Sequence, residues 1–114
     1  MMDKRLFSRF KLQAECSWAF KKDLRVFNAT LEDLSLGGLR ISTDTPLSPG
    51  QEIIFSIPLK PPIKGTARVV WVKKEGPRYS AGLEIVEMKE KFRKNLQDLI
   101  NQFTLSSLSD AHFR

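Results

Sequence analysis

Cysteine and histidine are almost absent from this chain of 114 residues, which has one of each. A single cysteine, Cys16, excludes an intramolecular disulfide and therefore a scaffold held together by disulfide bonds. Cys16 and the lone histidine, His112, are also too few for the usual His/Cys cage around a metal ion. No plausible nucleophile–base set is evident either, so we predict a protein without catalytic residues, metal site or cofactor.

Long hydrophobic runs are missing as well. No segment approaches the roughly 18 consecutive apolar residues that a membrane-spanning helix requires. The first five residues are not followed by the apolar stretch of a signal peptide. We therefore expect a cytoplasmic protein with no membrane span.

Positive charge is in excess, because lysine and arginine total 19 and aspartate and glutamate 13, which gives a formal net charge of +6. A cationic surface attracts nucleotides, nucleic acid or anionic lipid without distinguishing among them. Hydrophobic residues make up 41% of the chain and charged residues 28%, which is typical of a folded globular protein. The length corresponds to one domain.

Alternation of apolar and polar residues predicts six strands. It is clearest over residues 10–20, where every second residue is apolar and Cys16 is one of the apolar positions. Five further strands are predicted between polar or Gly/Pro-containing segments, over residues 24–34, 39–43, 52–57, 66–73 and 79–86.

The apolar period changes after the last of these strands. Apolar residues then recur mostly three and four positions apart, as on one face of a helix: Met88, Phe92, Leu96, Leu99, Ile100 and Phe103. The basic residues of this segment lie mostly off that face and are expected in solvent. The pattern predicts a mainly β protein, a six-stranded antiparallel β-barrel with a C-terminal amphipathic helix, or alternatively an open pair of packed sheets.

A first motif, Arg-x-x-x-Arg, is formed by Arg5 and Arg9. Residues four apart leave the same side of the backbone in a strand and in a helix. Arginine binds phosphate with two parallel hydrogen bonds, stacks on bases, and matches the O6 and N7 edge of guanine. Because this spacing is common in basic chains, the motif alone does not establish a nucleotide clamp.

A second motif, Asp-x-Ser-x-x-Gly, is formed by Asp33, Ser35 and Gly38. The Asp33 carboxylate is an acceptor and can accept hydrogen bonds from the N1–H and amine of guanine, a pair of donors that adenine lacks. Gly37 and Gly38 permit positive φ and a close approach of backbone to ligand. The alternative is structural, since Asp33 and Ser35 can also satisfy the backbone of a tight turn.

Together and in this order, the two motifs resemble those of the PilZ family of cyclic di-GMP receptors. Residues 65–72 and 79–85 also resemble its last two strands, although Ile85 stands where an aromatic residue is frequent. The resemblance covers residues 4 to about 103 and implies a six-stranded antiparallel barrel. The chain would then consist of an N-terminal arm (1–9), the barrel with its helix (10–103) and a flexible tail (104–114).

The resemblance further implies a bacterial, non-enzymatic receptor that binds the second messenger cyclic di-GMP and changes its arm and its contact with an unidentified protein partner. The ligand-binding residues implied are Arg5, Arg9, Asp33, Ser35 and Gly38, with Lys4, Gly37, Arg40 and Trp71 as accessory candidates. Lys4 stands where some family members carry an additional arginine associated with an intercalated ligand dimer. For two of these accessory candidates a structural alternative is favoured. Arg40 is expected to be solvated, and Trp71 is expected to belong to the core.

Two other functions remain open. The first is a PilZ-like module that contacts a protein partner and binds no nucleotide. The second is a small barrel that binds nucleic acid, which the charge would suit but for which the sequence shows no exposed aromatic platform, so we do not expect a nucleic-acid partner.

Overall fold

The structure, a computed structural model, describes residues 10–112. Within this range it contains one α-helix, α1 (Glu90–His112), and six β-strands: β1 (Phe10–Phe20), β2 (Asp23–Leu34), β3 (Gly38–Thr43), β4 (Glu52–Ile57), β5 (Ile63–Glu75) and β6 (Arg78–Glu87). The predicted strands are all present, and β5 is longer at both ends than the pattern indicated.

The strands close into an antiparallel barrel with the order β1-β2-β3-β6-β5-β4. Closure is made by β1, which pairs with β2 along one edge and with β4 along the other. This confirms the predicted barrel and excludes the open pair of sheets.

Alternate residues of the strands fill the barrel with side chains that are almost fully buried, including Trp18, Leu31, Ile53, Phe55 and Val69. The polar groups among them are paired. The Trp18 Nε1–H donates to Thr43 Oγ1 at 3.2 Å, and the Thr43 hydroxyl donates to the carbonyl of Asn28 at 3.0 Å. Buried polar groups without partners would be costly, so these bonds allow the indole and the hydroxyl to lie inside.

A β-bulge interrupts the alternation of β2. Leu31 pairs with Ile41 of β3 and points inward, but the next pair joins Asp33 to Arg40, which leaves Glu32 as an extra residue. The extra residue reverses the side of the sheet on which the following side chains lie. Asp33 therefore faces outward, whereas strict alternation from Leu31 would direct it into the barrel.

A second β-bulge interrupts β5 in the same way. Val69 pairs with Leu83 of β6 and is buried, but the next pair joins Trp71 to Gly82, which leaves Val70 as the extra residue. Trp71 consequently faces outward on the surface of β5. The expectation that Trp71 belongs to the core was therefore wrong, because the bulge shifts the alternation by one residue.

The helix α1 packs against β5 and adds Leu96 and Ile100 to the core. Its orientation is fixed partly by Asn95, whose Nδ2 donates to the carbonyl of Pro62 at 2.7 Å. The helical backbone continues to His112, beyond residue 104, where the sequence predicts the start of a flexible tail. Among the described residues, no helix combines the length and hydropathy needed to cross a membrane.

Val69 and Val70 provide a test of the register of β5 where its bulge begins, because these consecutive valines have opposite exposure, 1% and 54%. Val69→Ala should lower the free energy of unfolding by about 2 kcal/mol, because it removes two buried methyl groups. Val70→Ala, the matched control, should change it by less than about 0.5 kcal/mol. Urea denaturation measures both, and equal losses would contradict the assigned register.

The thiol of Cys16 is buried inside the barrel, as the alternation predicts. Burial raises the pKa of this thiol from 9.0 to about 12 because the thiolate loses its hydration. The neutral thiol's contribution to stability is therefore present below pH 9.0 and is lost as the pH rises toward 12.

Cys16 should consequently react far more slowly with a disulfide reagent such as DTNB at pH 8 in the folded protein than in the unfolded protein. We expect a rate at least about 100-fold lower, since both the thiolate fraction and access fall on folding. Absorbance at 412 nm, with and without denaturant, measures the two rates. Equal rates would show that the thiol is accessible.

Candidate functional site

Four residues form a line across the outer surface of the barrel, one on each of β2, β3, β6 and β5. Asp33 pairs with Arg40, Arg40 with Gly82, and Gly82 with Trp71. Directly opposed residues of antiparallel strands lie on the same face, so all four belong to one outward row. With strands about 4.8 Å apart, the row extends roughly 14 Å from Asp33 to Trp71.

Asp33 and Arg40 form an ion pair at one end of this row. The Arg40 Nε–H donates to Asp33 Oδ2 at 2.9 Å. The Asp33 side chain is 8% exposed and that of Arg40 is 32% exposed, so the carboxylate is almost fully covered and the guanidinium is partly covered. Arg40 therefore is not the freely solvated side chain that we favoured from the sequence, because its cross-strand register brings it onto Asp33.

Ser35 lies in the turn between β2 and β3 and closes it by hydrogen bonds to Gly38. Its backbone N–H donates to the Gly38 carbonyl at 2.9 Å, and its hydroxyl accepts from the Gly38 N–H at 3.2 Å. Ser35, which is 6% exposed, therefore satisfies the backbone of a tight turn, as the structural alternative for this motif predicts. Asp33 differs, since its carboxylate reaches across to the neighbouring strand.

Gly38 and Gly37 attach the turn to β6. A Cβ on Gly38 would overlap with the carbonyl oxygen of Leu83, so the backbones of β3 and β6 come too close here for any side chain. The Gly37 carbonyl accepts from the N–H of Ile85 at 2.9 Å. Positive φ occurs at Gly50 and Gly76 instead, so close packing rather than unusual backbone geometry accounts for Gly38.

Trp71 lies at the other end of the row, with 38% of its surface exposed. Its five-membered ring covers Gly82, where a Cβ would meet the Trp71 atoms Nε1, Cε2 and Cδ1. Trp71 was among the residues predicted from the sequence, whereas Gly82 was not. The available signal was a glycine within a strand pattern, which often marks a close approach.

The structure thus brings together Asp33, Ser35, Gly37, Gly38 and Arg40 around one turn and its neighbouring strands, with Trp71 on the same outer surface. An acceptor, a guanidinium and an exposed aromatic ring are the groups that recognise a purine base and its phosphate. Lys4, Arg5 and Arg9 lie outside the described residues. Their part in the site stays a prediction.

The model of the PilZ domain family matches residues 3–102 of the sequence. The chain belongs to the PilZ domain family. No curated protein matches the chain significantly. The match includes both motifs and all six strands, which confirms the family that the motifs had indicated.

Solved structures with the same fold are similar to this PilZ domain at low sequence identity. The PilZ domain of YcgR from Escherichia coli with c-di-GMP has a TM-score of 0.70 at 15% identity, over 95% of this chain and 97% of that one. The MrkH–c-di-GMP complex of K. pneumoniae has a TM-score of 0.70 at 15% identity, and the match covers 89% of this chain and 52% of the MrkH chain. MotI, an inhibitor of motility from Bacillus subtilis, has a TM-score of 0.74 at 14% identity, and the match covers 88% of this chain and 51% of the MotI chain.

The PilZ domain spans about half the length of the MotI and MrkH chains and nearly all of the YcgR domain. At 14–15% identity these similarities establish the fold and not a shared function. They agree with the closed six-stranded barrel and the single C-terminal helix described above.

Gly38→Ala tests whether this motif residue is required by the barrel itself. The new methyl group would overlap with the Leu83 carbonyl, so we expect a loss of about 1–3 kcal/mol in the free energy of unfolding. Ser56→Ala, at a half-exposed position on β4, is the control and should change stability little. Thermal and urea denaturation measure the effect. A Gly38→Ala protein as stable as the wild type would contradict the close packing of β3 on β6.

Proposed function

We propose that this chain is a non-enzymatic receptor for cyclic di-GMP. The observation that carries the proposal is the outward row that begins at Asp33, in a PilZ domain whose two sequence motifs are both complete. Two of the similar structures, YcgR and MrkH, contain c-di-GMP, which supports the choice of ligand.

The Asp33 carboxylate would accept hydrogen bonds from the N1–H and amine of one guanine. Arg40 holds one of its oxygens, Oδ2, at 2.9 Å, which fixes the orientation of the carboxyl group. A base at this position would also lie beside the Arg40 guanidinium, which offers donors and a flat surface. The outer surface of Trp71 would complete the site as a stacking surface.

Ser35, Gly37 and Gly38 would act through the turn that they build. The hydrogen bonds between Ser35 and Gly38 hold the turn next to Asp33, and the missing side chain of Gly38 lets the turn pack against β6. Backbone N–H groups in such a turn can approach a base or a phosphate closely. We therefore include all three residues in the ligand site.

The N-terminal arm would supply Arg5 and Arg9 for the phosphates and the second guanine. β1 begins at Phe10, which pairs with Leu34, so the arm is joined to the barrel beside the motif. Binding would neutralise the two arginines and order the arm over the barrel, which changes the surface offered to a protein partner.

Lys4 precedes the first arginine of the motif and affects the number of ligands bound. It carries charge but lacks the stacking surface of an arginine, which some family members have at this position together with an intercalated ligand pair. The site of action would be the bacterial cytoplasm.

Isothermal titration calorimetry with cyclic di-GMP tests the proposal, with GTP and cyclic di-AMP as ligand controls. We expect selective binding, which Arg9→Ala and Asp33→Ala each weaken by about 1.5 kcal/mol or more, or at least tenfold, because each removes a charged hydrogen-bonding group. The stoichiometry would distinguish one bound ligand from an intercalated pair.

The exposed ion pair of Asp23 and Arg25 provides matched control variants, since it joins the same residue types in β2 at the end remote from the motif. Asp23→Ala and Arg25→Ala should bind as the wild type does. Wild-type affinity in both Arg9→Ala and Asp33→Ala, with circular dichroism showing folded proteins, would overturn the site assignment. No binding by the folded wild-type chain would overturn the receptor function itself.

A further inference from the structure

The position of the Trp71 indole depends on a missing side chain on the neighbouring strand. Trp71 is the cross-strand partner of Gly82, and its five-membered ring lies over that glycine. The three atoms nearest to a Cβ built on Gly82 all belong to this ring, and each would be closer than two unbonded atoms can approach. The collision thus involves the indole of Trp71 before any other group.

Backbone geometry gives no separate reason for a glycine at this position. Among the described residues, the positive-φ glycines are Gly50 and Gly76, so Gly82 has a backbone that other residues adopt. Gly82 is buried, although its Cα faces the outer surface, because the indole covers it. The glycine therefore serves the placement of the ring rather than the path of the chain.

The ring's placement determines what lies beside Arg40. Gly82 separates Arg40 from Trp71 in the outward row, so an indole lying over Gly82 occupies the space next to the Arg40 side chain. A side chain at position 82 would lift the ring away from β6. The aromatic surface would then no longer be continuous with the ion pair of Arg40 and Asp33.

We propose that Gly82 is a positioning residue for the ligand site: by lacking a side chain it seats the Trp71 indole against β6, next to Arg40, where the ring's outer surface stacks on one guanine. The inference rests on the proposed cyclic di-GMP receptor function and assigns to Gly82 a role that neither sequence motif contains. Gly82 acts through Trp71 and does not itself contact the ligand.

Four variants test this role: Gly82→Ala, Trp71→Ala, the double variant Gly82→Ala/Trp71→Ala, and Gly65→Ala as a control. A Cβ on Gly65 would approach the Glu87 carbonyl to 2.9 Å and Phe55 to 3.2 Å, so this control loses stability at a site remote from the row. Affinity is measured by calorimetry with cyclic di-GMP, stability by the Tm, and the environment of the indole by tryptophan emission.

We expect Gly82→Ala and Trp71→Ala each to weaken binding about tenfold, in the range typical of losing one base–aromatic stack, and the double variant to be no weaker than Trp71→Ala alone. Gly82→Ala should also shift the tryptophan emission. It should lower the Tm by about 5 °C or more in the wild-type background and by less than half as much in the Trp71→Ala background, where the ring is gone. Gly65→Ala should lower the Tm and keep wild-type affinity.

Other outcomes separate this inference from the receptor function. Wild-type binding with unchanged affinity in Trp71→Ala, or in a folded Gly82→Ala, overturns the positioning role and leaves the receptor function standing. No binding by the wild type overturns both. If Gly82→Ala does not fold, the double variant decides. A folded double variant supports the positioning of the indole by Gly82, and an unfolded double variant overturns it.

Discussion

Closure of the barrel is the constraint on which the candidate site depends. In a closed sheet each strand residue faces either the packed interior or the outer surface, and strict alternation would direct both Asp33 and Trp71 inward. One extra residue in β2 and one in β5 reverse the alternation and turn both side chains outward. An ionised carboxylate inside the barrel would cost several kcal/mol unless it were paired. The bulges therefore protect the core as well as creating the site.

The residues of the Asp-x-Ser-x-x-Gly motif have two kinds of physical role. Ser35 and Gly38 hold the turn between β2 and β3 against β6, through the hydroxyl of one and the missing side chain of the other. Asp33 instead lies on the outer side of the barrel wall, where its largely covered carboxylate pairs with Arg40. The proposed binding role of this motif is compatible with its structural role, because the turn that supports the barrel also fixes the position of the Asp33 carboxylate.

Low sequence identity to other PilZ structures is compatible with the same fold because alternation, and not particular side chains, builds the barrel. The similar structures share 14–15% identity with this chain at TM-scores of 0.70 to 0.74. Interior positions accept any apolar residue of suitable volume. The outward row is more demanding, since the ion pair of Asp33 and Arg40, and the indole over Gly82, each require particular partners on adjacent strands.

The sequence by itself determined the six strands, the amphipathic helix and the two motifs, because periodicity and short-range spacing are local properties of a chain. It did not determine that Trp71 faces outward, since residues 69–72 are all apolar and one extra residue leaves no visible break in such a run. A break was visible in β2, where the acidic Glu32 and Asp33 separate two buried leucines. The ion pair of Asp33 with Arg40 and the contact of Trp71 with Gly82 were decided by the tertiary structure alone. Both depend on strand register, which closure of the whole barrel fixes between residues distant along the chain.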